Sequence, residues 1–148
     1  MPRPQKNRLI KEPPVFTEFK AVGVPGRVMD KVVLSLDEYE ALRLSDFEGM
    51  SQEEAADEME ISRPTFTRLI EASRKKICEM LVNGKMLVID GGNIHFRQNL
   101  IKCRNCGHMF NINIEDDIKR CPSCGSGELM NLAGGFGHGR CCGNRKRR

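Results

Sequence analysis

The chain has 148 residues, 39% of them hydrophobic but only 5% aromatic and none of them tryptophan; this suits one ordinary domain or two small ones and argues against a single large core. No apolar run reaches bilayer-spanning length, and the basic opening MPRPQKNRLIKEPP lacks the apolar stretch of a secretory signal, so a cytoplasmic protein with no membrane partner is expected. In that compartment seven Cys point to metal or redox chemistry rather than to a disulfide framework.

The net charge of +4 conceals a segregation. Residues 32–62 carry ten acids against the single base Arg43, whereas residues 63–85 carry six bases against Glu71 and Glu79. The first 31 residues hold seven bases against three acids, and the last nine hold five bases and no acid. Basic arms and a basic helix fit a polyanion partner; solvated helix faces and frayed tails would give the same counts.

In chain order, residues 1–30 read as a basic extended arm, broken by Pro2, Pro4, Pro13, Pro14 and Pro25, with some strand character in FTEFKAV. VVLSL (32–36) is a short strand or the lead-in to a helix. Ser35 to Glu38 fits a capping box, and Leu36, Tyr39, Leu42 and Phe47 continue with helical spacing to a C-cap at Gly49. Ser51 to Glu54 is a second capping box, and Ala55, Ala56 and Met59 form the apolar face of the helix it starts. Ser62 caps a third helix that tolerates Pro64 in its first turn and ends at Asn83-Gly84, with Phe66, Leu69, Ile70, Ile77 and Leu81 as its buried stripe. MLVIDGGNIHF reads as a β-hairpin turning at Gly91-Gly92. The domain divisions expected are the arm 1–30, a helical domain with hairpin 31–97, a four-Cys module 98–132, and a Gly-rich basic tail 133–148.

Two short helices joined by a turn of three to four residues make a helix-turn-helix. Ala56 lies where the helices cross and Ile61 plugs the turn. Facing outward on the third helix are Arg63, Thr65, Thr67, Arg68 and, further on, Glu71, Arg74 and Lys75, residues that suit a DNA major groove. Thr65, Thr67 and Arg68 are the candidates for base edges, and Arg63, Arg74, Lys75 and Lys76 those for phosphates. Arg3, Lys6 and Arg8 of the arm are candidates for the DNA backbone or minor groove. Glu60 holds the turn position where Gly is usual, because the backbone there is left-handed; a non-Gly residue in that conformation costs roughly 1 kcal/mol. A helical pair that merely packs or docks a protein is the competing reading.

VVLSLDEYEALRLSDFEGMSQEEAADEMEISRPTFTRLIEASRKKICEMLVNGK resembles the helix-turn-helix of sigma-factor region four. It is more closely similar to a family of bacterial and archaeal proteins predicted to bind DNA and known by its domain of unknown function. The phrases LDEYEALRLSDFEGMSQEEAA and SRPTFTRLIEASRKKI carry the resemblance, which spans roughly residues 1–92 and includes the opening arm. It implies DNA binding without an operator or effector, and it leaves the second half of the chain outside.

CRNCG and CPSCG place Cys103, Cys106, Cys121 and Cys124 as two C-x-x-C knuckles, a spacing that closes tetrahedrally on one metal ion. Gly107 and Gly125 follow the second Cys of each, where a tight turn aims backbone N–H groups at sulfur. Phe110, Ile112 and Ile114 alternate as in a strand, and the module resembles a zinc ribbon. Zn2+ is the expected cofactor; Fe in a rubredoxin-like site is the alternative, disfavoured by the scarcity of aromatics. Four thiolates leave no open position, so the metal should be structural.

Cys78 beside Ile77 reads as a buried small residue. Cys141 and Cys142, with His138, could form a labile metal or redox site, or belong to a basic tail lying on phosphates. His108 reads as surface and His95 as structural. No phosphate-cradling loop or nucleophile elbow is present, so no enzyme is expected. The fold expected is therefore a mainly α helix-turn-helix domain with a short hairpin, plus a small β ribbon and flexible ends. The function expected is sequence-specific binding of double-stranded DNA, as a transcriptional regulator working as a homodimer, with RNA polymerase or another protein as a further partner. The rivals are a protein-docking adaptor and an iron redox protein.

Overall fold

A computed structural model of the chain describes residues 8–136. The expected flexible ends, the arm residues Arg3 and Lys6, and His138, Cys141 and Cys142 lie outside these residues. The elements are β1 (Arg8–Ile10), β2 (Glu18–Phe19), β3 (Lys31–Leu34), α1 (Leu36–Leu42), a π-helical turn (Arg43–Phe47), α2 (Gln52–Glu58), α3 (Arg63–Asn83), β4 (Met86–Ile89), β5 (Ile94–Phe96), β6 (Gln98–Cys103), β7 (Met109–Asn113) and β8 (Leu129–Asn131), with short 3-10 turns at Gly26–Val28 and Gly134–Phe136. The architecture mixes helices with small sheets. The chain divides into two compact units: one is Phe16–Ile94 with the leading segment up to Leu9, the other Ile10–Val15 with the chain from His95 onward.

In the first unit the caps form where the sequence places them. The Ser35 hydroxyl accepts the Glu38 N–H while the Glu38 carboxylate accepts the Ser35 N–H, a reciprocal capping box that starts α1. Ser51 accepts from Glu54 N–H at the start of α2, and Ser62 from Thr65 N–H at the start of α3. Gly84 closes α3 at φ 65°, a left-handed position that costs glycine nothing. Glu60, between α2 and α3, is the single non-glycine residue with positive φ among the described residues, at 56°. The helices bury Ala41, Leu44, Ala55, Ala56, Met59, Phe66, Leu69 and Ile70 in one cluster, with Leu42, Met50 and Ile61 at its margin.

The expected hairpin does not form. β4 pairs in parallel with β3, Val32 opposite Leu87 and Leu34 opposite Ile89, and antiparallel with β2 on its other side. β5 belongs to a different, two-stranded sheet with β1. All three helices thus form the crossover between the parallel strands β3 and β4, a connection that parallel pairing requires. Gly91 and Gly92 (φ 81° and 102°) carry the chain past the start of α1, where the Leu36 N–H donates to the Gly91 carbonyl at 3.0 Å. A Cβ on Gly92 would lie 2.9 Å from Asp37 Oδ1, so another residue there would displace the Asp37 carboxylate as well as strain the backbone at positive φ. The unit therefore combines its helices with a small mixed sheet in place of the hairpin.

Three further expectations are corrected. Phe47 is 83% exposed; the inward line of α1 and its π turn is Leu36, Glu40, Ala41 and Leu44. The Glu48 N–H reaches back five residues to the Arg43 carbonyl at 2.8 Å, and this wider turn carries Phe47 outward. Leu81 is 71% exposed because the last turns of α3 run beyond the cluster that Phe66 and Ile70 enter. Cys78 is exposed rather than buried; at 100° per residue it sits about 120° around the helix from Phe66.

The second unit is a three-stranded antiparallel sheet in the order β7-β6-β8, with Ile101 opposite both Phe110 and Asn131. Asn99 is buried in it: its carbonyl accepts from the N–H groups of Leu100 (2.9 Å) and Ala133 (3.1 Å), and its amide donates to Asn131 (2.7 Å). These bonds satisfy a group whose burial would otherwise be costly.

Candidate functional site

The four knuckle cysteines converge. Cys103 ends β6, Cys106 follows in the turn to β7, and Cys121 and Cys124 occupy the loop before β8; their sulfurs all lie within 4.8 Å of one another. The two knuckles fold alike. Gly107 N–H donates to the Cys103 carbonyl at 3.0 Å and Gly125 N–H to the Cys121 carbonyl at 2.9 Å. Both glycines are left-handed, at φ 78° and 77°. Cys103 N–H is returned to the His108 carbonyl and Cys121 N–H to the Ser126 carbonyl.

The donors to sulfur are not the glycines but their neighbours. His108 N–H points at Cys106 Sγ (3.5 Å), Ser123 N–H at Cys121 Sγ (3.4 Å), and the Asn105 amide at Cys124 Sγ (3.6 Å). Asn105 was not singled out in the sequence, although its place inside the first knuckle was the available signal. Such donors favour thiolate over thiol.

The geometry fits one tetrahedral ion. Four sulfurs at the usual metal–sulfur distance stand about 3.8 Å apart along each edge. Cys103 and Cys124 are separated by 3.6 Å and Cys106 and Cys121 by 3.7 Å. The backbone N–H of Ser126, helped by the Asn105 amide, brings Cys124 down to about 6. At Cys106 the His108 N–H pulls downward, but lost hydration and the three neighbouring thiols outweigh it and push the thiol up to about 11. These cysteines could hold a metal ion. His108 is exposed, as expected, and stacks on Phe110 with ring centroids 5.5 Å apart.

The second cluster is the α2–turn–α3 segment. Arg63, Arg68, Arg74 and Lys75 are exposed; Thr65, Thr67 and Lys76 are half-buried. Among the described residues Arg63, Arg68 and Lys75 make no ion pair. Arg74 instead grips both oxygens of Asp46, at 2.8 and 3.2 Å. Lys76 donates to Glu38 Oε1 at 2.6 Å. The Thr65 hydroxyl pairs with that of Ser62 at 2.7 Å, and the Thr67 hydroxyl is directed at Gln52 Oε1 (2.5 Å) and the Arg63 carbonyl (3.1 Å). Gln52 is a residue the sequence reading did not single out; no local pattern marks a partner fifteen positions away.

The acidic stretch is not one solvated face. Asp37, Glu38 and Glu40 are buried, and each has a basic partner: Arg8, Lys76 and Arg43 respectively. Among the described residues, no helix is long and apolar enough to cross a membrane.

A family model described as "Protein of unknown function DUF134" matches residues 1–97. The chain belongs to this family. A "UPF0251 protein" of Chloroherpeton thalassium is 41% identical over 143 residues, 95% of both chains. A protein of the same description from Pelotomaculum thermopropionicum is 46% identical over 126 residues, 85% of this chain and 95% of its own. The first alignment is long enough to run through the four-cysteine segment, beyond the family model's end. No solved structure matches the chain.

Proposed function

We propose that the chain is a sequence-specific DNA-binding protein acting as a transcriptional regulator, with α2, the turn and α3 forming a helix-turn-helix whose third element enters the major groove. The observation that carries this reading is the combination at the turn. Glu60 holds the left-handed conformation such a turn needs, Ala55 and Ala56 allow α2 and α3 to cross closely, and Arg63, Arg68 and Lys75 stand exposed without ion pairs among the described residues. A strained residue that persists in a fold is a pointer to a geometry the fold needs.

In this reading Arg68 addresses a guanine edge, and Arg63 and Lys75 address phosphates. Arg74 and Lys76, already held by Asp46 of the π turn and Glu38 of α1, position α3 against those elements rather than lead in DNA contact. The cysteine quartet is a structural zinc site in a ribbon: four thiolates close the coordination shell and leave no position for substrate. One helix-turn-helix contacts few base pairs, so a homodimer on a two-fold site is the working assembly.

The test is selection of sites from fragmented genomic DNA by the purified, metal-loaded protein at near-physiological salt, beside Arg68→Ala. Enrichment of a short motif that Arg68→Ala loses or relaxes supports the reading, as does affinity that falls steeply with added salt. Equal recovery of all fragments by both proteins sinks it.

A further inference from the structure

We infer that position 67 reads a thymine through its 5-methyl group, and that Gln52 is the positioning residue that makes it do so; this rests on the DNA-binding reading above. A threonine offers a groove either a hydroxyl or a methyl, and the two stand on different sides of Cβ. Here the hydroxyl is already engaged twice. It faces Gln52 Oε1 of α2 at 2.5 Å and the carbonyl of Arg63, one turn back along α3, at 3.1 Å. A hydroxyl has a single proton to give, and the Gln52 carboxamide accepts it from the neighbouring helix. With Oγ1 turned toward α2 and the preceding turn, the methyl is the group left on the other side of Cβ.

Thr65 is engaged as well, its hydroxyl paired with the Ser62 cap at 2.7 Å. The hydrogen-bonding side chains left without a partner on this stretch of α3, among the described residues, are Arg63, at its first residue, and Arg68, next to Thr67. The recognition surface therefore combines a guanidinium, suited to guanine, with an apolar group one residue before it, suited to the thymine methyl. Gln52 acts through Thr67: without its acceptor only the Arg63 carbonyl still holds the hydroxyl, and the Thr67 side chain exchanges methyl for hydroxyl more readily.

The experiment uses the full, metal-loaded chain and a duplex carrying its selected site, compared with duplexes in which each thymine in turn is replaced by uracil, which lacks the methyl. Wild type should bind about three- to fivefold more weakly when one particular thymine of each half-site is replaced, the size expected for one buried methyl. Thr67→Val, which keeps a methyl and has no hydroxyl, should retain that thymine–uracil difference. Thr67→Ser, which keeps the hydroxyl and drops the methyl, should lose it. Gln52→Ala should shrink the difference, and Thr67→Val added to Gln52→Ala should restore it, an outcome that general loss of folding cannot produce. Low-salt binding to unrelated duplex confirms that each variant is folded. The inference is overturned if no uracil replacement weakens wild type, or if Thr67→Ser distinguishes thymine from uracil as wild type does; in either case the DNA-binding reading stands. If wild type selects no site at all, that reading and the inference fall together.

Discussion

Lys76 reaches from α3 to Glu38 of α1, thirty-eight residues away, and its ammonium lies 2.6 Å from a carboxylate that is almost wholly buried. The same carboxylate serves the capping box at Ser35. One basic residue of the helix that looks suited to a polyanion is thus used to neutralise an acid inside the fold. Removing one partner of a buried pair leaves the other charge uncompensated. Lys76→Ala should cost about 1–2 kcal/mol, less than for a fully enclosed pair because the ammonium side is part-exposed. Thermal unfolding checks this. A Lys76→Ala protein with wild-type stability and weakened DNA binding would return Lys76 to the phosphate contacts.

Glu60 keeps a left-handed backbone that its side chain disfavours. Glu60→Gly should raise stability by up to about 1 kcal/mol, and Glu60→Val, β-branched at positive φ, should lower it by a similar amount or more. Denaturant unfolding of the two variants should place them on opposite sides of wild type.

Arg74 donates two hydrogen bonds to Asp46, which holds that carboxyl below the ordinary range, and the guanidinium is raised in turn. The pair's contribution is present above the ordinary carboxylate range and is lost as pH falls through the lowered value. Both groups are about half exposed, so only a few tenths of a kcal/mol are involved. NMR titration of Arg74→Ala should return the Asp46 carboxyl upward to its ordinary value; an unmoved titration would mean that the pair does not persist in solution.

Cys124 and Cys106 are both exposed, yet one is brought down to about 6 and the other pushed up to about 11. In protein pulse-labelled at neutral pH as the metal is withdrawn, before the module unfolds, iodoacetamide should alkylate Cys124 well before Cys106, because the thiolate is the nucleophile. The Cys124 rate should decline as pH falls below about 6. Mass spectrometry of the labelled peptides reads the order, and equal labelling would contradict the arrangement of donors around Cys124.

Metal removal supplies the broadest check. Chelation should abolish the resolved NMR signals of β6, β7 and β8, since a small four-thiolate module depends on its ion for folding. Cys121→Ser should do the same without chelator. Metal analysis should return one ion per chain, colourless for zinc and absorbing in the visible for iron. A chelated protein whose β6–β8 signals are unchanged would show the sulfurs to be packed without need of a metal.

Much of this protein was legible along the chain because its determinants are local. Ser35, Ser51 and Ser62 start helices with side chains that reach N–H groups three residues on. Gly84 stops α3 by its freedom at positive φ, and the two C-x-x-C knuckles bring their own turns. The exposure of Arg63, Arg68, Arg74 and Lys75 on α3 follows from helical periodicity, and the family follows from the phrases around them. Tertiary structure decided the rest, because the partners are remote. MLVI carries no mark of choosing β3 over the nearby NIHF, since parallel pairing joins segments that the whole helical crossover separates. The charges of Asp37, Glu38 and Glu40 appear alike in sequence to those of Glu53 and Glu54, but only the first three meet a base that makes burial affordable. The Thr67 hydroxyl has a local acceptor in the Arg63 carbonyl, but its second one, Gln52 across the α2–α3 seam, exists only once the helices pack, so the sequence carried no mark of it.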